Sequence, residues 1–274
     1  MRGYYPPVSL FGPCRYRKGA SVDPDLSVVI PAHNSAAVIE QTVRRLADHL
    51  SGHDVEIIVV ENGSSDDTFA ICTRLAENWT AGPVSFRVLQ SSRGMGNALR
   101  AGARASRGAH VLLTADDLPF GFDDLDGVEK FSAEDEGRVP LVAIGSKAHP
   151  DSHVRRGILR GILTRGFAVL RRAILGMRTG DPQGTVFMDG ELIRGLVPDL
   201  AEPGFLFTTE LVHLVEQLGI VPAEVPVRLS EDHSGHGTRI NRTDVLAMGM
   251  GLFRLRARHG DRGRAVWSGS TPRS

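Results

Sequence analysis

Between Asp25 and Gly145, four short runs rich in apolar and β-branched residues alternate with longer amphipathic stretches. This alternation limits the fold more than any other feature of the chain. LSVVIPA (26–32) precedes a helical stretch reaching about Leu50, and VEIIVVE (55–61) precedes a helix over 67–78. VSFRVLQ (84–90) is followed by a helix over 95–106, and AHVLLTA (109–115) closes the series. Such a pattern predicts an α/β fold with a mostly parallel sheet flanked by helices on both faces. After LVAIGS (141–146) the alternation weakens. There follow a basic amphipathic segment over 155–178, a turn at Asp181-Pro182, a helix near 206–218, the strand AEVPVRL (223–229) and a last helix over about 243–259. We expect one domain over 26–260, with a first half (26–118) and a variable second half (119–260). The arm 1–25 and the tail 261–274 are expected to be loosely ordered.

Composition excludes several classes of function. Lys and Arg number 32 and Asp and Glu 32, which gives no whole-molecule field to attract nucleic acid. The two cysteines, Cys14 and Cys72, make no disulfide framework, and the ten histidines lack cysteine partners at zinc-ligand spacing. A reducing, cytoplasmic setting is expected. No apolar run reaches the roughly 18 residues needed to cross a bilayer, and the basic start has no apolar core of a signal peptide.

In parallel sheets ligands gather at the carboxyl ends of the strands, so the loops there carry the functional reading. The first strand ends in Pro31-Ala32-His33-Asn34, without the glycines of a dinucleotide-binding turn, which disfavours a dehydrogenase. The second ends in Glu61-Asn62-Gly63-Ser64-Ser65-Asp66, either a ligand loop or a cap for the next helix through Ser65 or Asp66. Arg93-Gly94-Met95-Gly96-Asn97 follows the third, where glycines serve a turn in any case. Thr114-Ala115-Asp116-Asp117 follows the fourth, and its carboxylates suit a hard cation or a ribose hydroxyl as well as a simple turn.

Taken together, PAHN, VVENGSSDDT, RGMGNALRAG and VLLTADDL resemble the family-2 glycosyltransferases of the GT-A fold. Their usual forms are PxxNE, VDDGSxD, NxGxGxAxRxG and DAD. The second half is similar to the dolichyl- and polyprenyl-phosphate glucosyl- and mannosyltransferases through GSK (145–147), DPQG (181–184), TTEL (208–211) and AEVPV (223–227). Ser35 stands where that family usually has Glu, Glu61-Asn62 replaces Asp-Asp, Met95 replaces a common Lys, and Ala115 replaces the first Asp of DAD.

The resemblance implies a GT-A sheet and an inverting transfer of a hexose from a UDP- or GDP-sugar to a polyprenyl phosphate. A soluble small-molecule acceptor, or a sugar-nucleotide binding protein without catalysis, are the alternatives. It implies donor binding by Pro31, Ala32, Asn34, Glu61, Gly63, Ser64, Arg93, Gly94, Gly96 and Asp116, with Asp117 as the ligand of Mg2+ or Mn2+ and a catalytic residue. Asp181 and Glu210 match its acceptor side and are expected at the catalytic centre. Glu210 would equally serve to pair with an arginine of the basic segment. Lys147, Gln183, Arg155, Arg156, His236 and Arg239 are expected to hold phosphate or acceptor. The acid-free segment 155–178 carries seven arginines interleaved with apolar residues, so it is either an interfacial element at an anionic membrane or a surface helix packed on the core. The expected location is the cytoplasm, peripheral on the inner membrane face.

Overall fold

The computed structural model describes residues 23–152, 158–229 and 242–260. Its elements in chain order are β1 (Leu26–Ala32), α1 (Ile39–His49), β2 (Val55–Glu61), α2 (Thr68–Glu77), β3 (Val84–Gln90), α3 (Met95–Ala105), β4 (His110–Leu113), α4 (Asp123–Glu134) and β5 (Val142–Ser146). They continue with α5 (Ile158–Leu175), β6 (Val186–Asp189), α6 (Gly190–Leu196), α7 (Phe207–Gln217), β7 (Ala223–Pro226) and α8 (Arg242–His259). The strands form one sheet in the order β3-β2-β1-β4-β6-β5-β7. Pairing is parallel except where β6 runs against β4 and β5.

Burial explains the apolar runs. Every residue of β1 and β2 is buried, as central parallel strands covered on both faces require. Alternation then sends Leu26, Val28 and Ile30 to one face, against Ile39, Val43 and Leu46 of α1, Cys72 of α2 and Leu125 of α4. Val29, Ile58 and Val60 reach the other face, against Leu99 of α3, Leu192 of α6 and Phe207 and Leu211 of α7. Besides Glu61 at the end of β2, charge is buried at the amino end of the sheet. There the fully buried Glu56 accepts from Ser27 Oγ at 2.7 Å and pairs with Arg87 at 2.8 Å and Arg107 at 3.3 Å.

Three elements escape the sequence reading: α4, β6 and α6. The expected strand over 223–229 is shorter, Ala223–Pro226, and the basic segment is helical over Ile158–Leu175. No described helix is long and apolar enough to cross a membrane.

Candidate active site at the strand ends

Parallel registry brings the ends of β1, β2 and β4 to one edge of the sheet: Ala32 lies beside Glu61, and Val29 beside Leu113. The loops after β1 and β2 are tied to each other. Asn34, in left-handed backbone at φ 55°, accepts through Oδ1 from the Ser65 amide at 2.8 Å, and its own amide donates to Ser64 Oγ at 3.1 Å. Asp66 accepts from the Ala36 amide at 3.1 Å and from the Thr68 amide at 3.0 Å, so it caps α2 and clamps the first loop together. His33 Nδ1 is buried in this loop with no hydrogen-bond partner. Such an orphaned group is what a ligand's hydrogen bond would satisfy.

Glu61 is buried at the end of β2. Burial raises its pKa, but the Ser64 amide at 2.5 Å and Gln90 Nε2 at 3.1 Å outweigh that and hold the carboxyl below its usual range. It is therefore an ionised acceptor. Asn62, beside it, donates through Nδ2 to the Ala32 carbonyl at 2.9 Å and accepts through Oδ1 from the Gly94 amide at 3.2 Å. The substitution of Asn for the second Asp thus supplies a donor as well as an acceptor, and joins three loops. Sequence reasoning gave it no role.

Gly94 and Gly96, expected at the donor, are also where another segment of the chain seats closely. A Cβ on either would overlap a backbone carbonyl oxygen, that of Pro203 for Gly94 and that of Glu202 for Gly96. The Gly96 and Asn97 amides both donate to Pro203 O, at 2.9 and 3.2 Å, so the first turn of α3 is capped by the chain itself. These glycines admit the strap 201–203. Arg93 Cβ lies 3.3 Å from where a Cβ on Gly63 would stand, at φ 77°. Arg93 therefore faces the loop after β2.

Past β4, the half-buried Asp116 and Asp117 sit in a turn held to the first loop. Ser35 Oγ donates to the Asp116 carboxylate, and Thr42 Oγ1 donates to the Asp116 carbonyl at 2.6 Å. Where the usual Glu would bring a second negative charge, Ser35 brings a donor. Among the described residues no three acidic, histidine or cysteine side chains converge to hold a metal unaided. A carboxylate pair at this edge nevertheless fits a hard cation that takes its remaining oxygens from a bound diphosphate.

The second-half motifs converge on the same edge. Asp181 accepts from the Lys147 amide at 3.1 Å and lies 3.5 Å from Lys147 Nζ, which stands 5.5 Å from the ring of Phe120, just past Asp117. Glu224 of β7 accepts from Ser146 Oγ at 2.5 Å and the Gly180 amide at 2.7 Å, closing AEVPV, GSK and DPQG into one cluster. Gln183 is half-buried in the turn beyond Asp181.

Two expectations are revised here. Arg171 is not part of a solvent-facing cationic row: it is buried and donates to the Thr179 and Gly180 carbonyls at 2.7 and 3.0 Å. Glu210 is fully buried, with Arg258 and His259 of α8 each at 2.8 Å and the Ala201 and Glu202 amides at 2.9 and 2.7 Å. Burial alone would raise its pKa, but these donors bring it below the usual value. Four donors and no exposure remove Glu210 from contact with a substrate, and among the described residues its charged partners come from α8. Arg155, Arg156, His236 and Arg239 lie outside the described residues, as do Cys14 and His233.

Comparison with known proteins agrees with this arrangement. The dolichyl-phosphate beta-glucosyltransferase of Saccharomyces cerevisiae is 30% identical over 227 residues, 75% of this chain and 67% of that protein. The enzyme of the same name from Dictyostelium discoideum is 28% identical over 218 residues, 75% of this chain and 66% of the relative, so the chain spans about two thirds of such proteins. Among solved structures, glucosyl-3-phosphoglycerate synthase from Mycobacterium tuberculosis in complex with Mn2+, UDP-glucose and phosphoglyceric acid superposes with a TM-score of 0.58 at 21% identity, covering 89% of this chain and 81% of that one. That likeness identifies a GT-A fold. The model of glycosyl transferase family 2 matches residues 27–186, which take in both carboxylate loops, the glycine turn and the Lys147–Asp181 pair, and the chain belongs to that family.

Proposed function

We propose that the chain is an inverting glycosyltransferase moving a hexose, with glucose favoured, from a nucleoside diphosphate sugar to a polyprenyl phosphate. The observation that carries this is the gathering, at one end of one sheet, of the ionised Glu61, the Asp116-Asp117 turn and the Lys147–Asp181 pair. The names of the relatives support glucose and a dolichyl-phosphate acceptor.

Glu61 and the Pro31–Asn34 loop would accept and orient the base and ribose, with His33 Nδ1 available to one further ligand group. Asp117, with Asp116 beside it, would hold Mg2+ or Mn2+ against the donor's phosphates, where the cation offsets charge gathering on the departing nucleoside diphosphate. Arg93 and Lys147 would bracket the phosphates of donor and acceptor. The acceptor phosphate is already ionised at neutral pH, so its oxygen attacks the sugar's anomeric carbon without a strong general base. The new O–C bond forms as the bond to the diphosphate breaks, on the opposite face of the ring.

A peripheral membrane setting follows from the same reading. α5 packs on α8, yet Val169 and Leu170 of the first and Met250 and Phe253 of the second remain exposed beside Arg172 and Arg254. Apolar side chains among arginines suit the headgroup boundary of an anionic membrane. Purified protein with Mn2+ or Mg2+, UDP- and GDP-sugars and a short-chain polyprenyl phosphate tests the proposal. Release of nucleoside diphosphate that requires the lipid phosphate is expected; release indifferent to it, or none with any donor, refutes the acceptor or the whole reading respectively.

A further inference from the structure

The end of α8 reaches the donor half of the site through an unbroken series of contacts, although neither α8 nor α7 has a residue in it. Arg258 and His259 fix one oxygen of Glu210, each at 2.8 Å, and Arg258 also reaches Glu202 at 3.3 Å. The other oxygen of Glu210 fixes two consecutive amides, those of Ala201 and Glu202. These begin the strap 201–203, an irregular segment with no ladder of its own to position it. The strap's next carbonyl, that of Pro203, accepts from Gly96 and Asn97 in the first turn of α3, and Arg100 of the same helix donates to the Leu200 carbonyl at 3.2 Å. From Gly94 the series continues to Asn62, which adjoins Glu61.

A fully buried carboxylate is costly to desolvate, and apolar packing often serves stability as well or better. What apolar packing cannot do is set the direction of two successive backbone amides. We propose that Glu210, clamped by Arg258 and His259, is a positioning residue for nucleotide binding, acting through the strap on the Gly94–Asn97 turn and the loop that holds Glu61. This rests on reading that edge as the donor site.

Glu210→Gln tests the inference, with Glu56→Gln as its counterpart: Glu56 is also fully buried among several donors, but at the opposite end of the sheet. Amide hydrogen exchange at Gly96 and Asn97 is measured in both, together with UDP and GDP affinity by calorimetry in the presence of Mn2+. Both variants are expected to melt earlier. Only Glu210→Gln is expected to speed exchange at Gly96 and Asn97 and to weaken nucleotide binding, each by about tenfold, in the lower part of the range for coupling between sites. Arg258→Gln, which removes one partly exposed donor, serves if Glu210→Gln does not fold, and is expected to give a smaller change in the same direction. Equal exchange and equal affinity in the two Glu variants, or an unchanged Arg258→Gln, overturns the inference. Failure of the unaltered protein to bind either nucleotide refutes the donor reading, and the exchange measurement still decides whether the strap is coupled to Glu210.

Discussion

Replacing Gly96 with Ala measures how closely the 201–203 strap seats against α3. The added Cβ would overlap the Glu202 carbonyl oxygen and stand 2.8 Å from Phe207 Cβ and 2.9 Å from the Pro203 carbonyl carbon. Two of these neighbours are backbone and the third is a fully buried ring's Cβ, so none can swing aside as a flexible side chain would. Forcing the strap away gives up the two bonds to Pro203 O, about 1 kcal/mol each, and adds overpacking strain of about 1–3 kcal/mol. The gain in helix propensity of Ala over Gly returns about 1 kcal/mol. A net loss of about 2–4 kcal/mol is expected, which in a domain of this size lowers the melting temperature by about 10 °C. Gly166→Ala is the matched control, because a Cβ there meets nothing within 4 Å in the middle of α5, and it should stabilise the protein by about 1 kcal/mol. Thermal unfolding of both variants is the assay. A Gly96→Ala protein that melts with or above the parent, as propensity alone dictates, refutes the close approach and the capping by Pro203.

Asp117→Ala is expected to abolish metal-dependent transfer and Asp116→Ala to reduce it; near-normal activity in both removes the metal assignment. Burial pushes the Asp124 carboxyl from 3.8 up to about 6. The unfolded chain releases this proton near 3.8 while the folded one keeps it to about 6, so stability falls as pH rises between those values and the penalty is complete above them. Asp124→Asn should therefore gain about 3 kcal/mol at pH 7.5 and nothing near pH 3.5, read from urea midpoints; a gain equal at both pH values contradicts this. Phe253→Asp should weaken flotation with vesicles containing anionic lipid while leaving nucleotide affinity unchanged, and undiminished flotation would exclude α8 from the contact.

β1 and β2 were legible in the sequence because they are central strands. They are buried on both faces and therefore read as unbroken apolar runs whose ends coincide with the observed ones. α4 was illegible because Asp123, Asp124 and Asp126 crowd its first turn and Gly127 interrupts it; that glycine is needed where Val225 of β7 packs on the helix. β6 is four residues long and enters against its neighbours, so no repeat of strand and helix announces it. The loops that carry the ordered motifs do meet at one edge of the sheet. The partners of Gly94 and Gly96 were hidden because they lie more than 100 residues away in the sequence, on a strap without a pattern of its own, and those of Glu210 because Arg258 and His259 lie about 50 residues away on α8. Ser35 read as a missing carboxylate and is instead the hydroxyl that donates to Asp116.

The reversed direction of β6 has a practical consequence. Ile144 near the end of β5 is paired with Val186 at the start of β6, so the chain departs from the sheet and rejoins it at adjacent points. The described residues between, including the basic helix and the Asp181 turn, form an excursion anchored at two neighbouring positions. Such a stretch is a natural cassette for chimaeras: exchanging it for that of another family member asks only that its two ends meet. The docking residues it must respect are few, chiefly Glu224, Glu216 and the face of α8. On the proposed reading, such an exchange redirects acceptor preference while β1 to β4 are left as they stand.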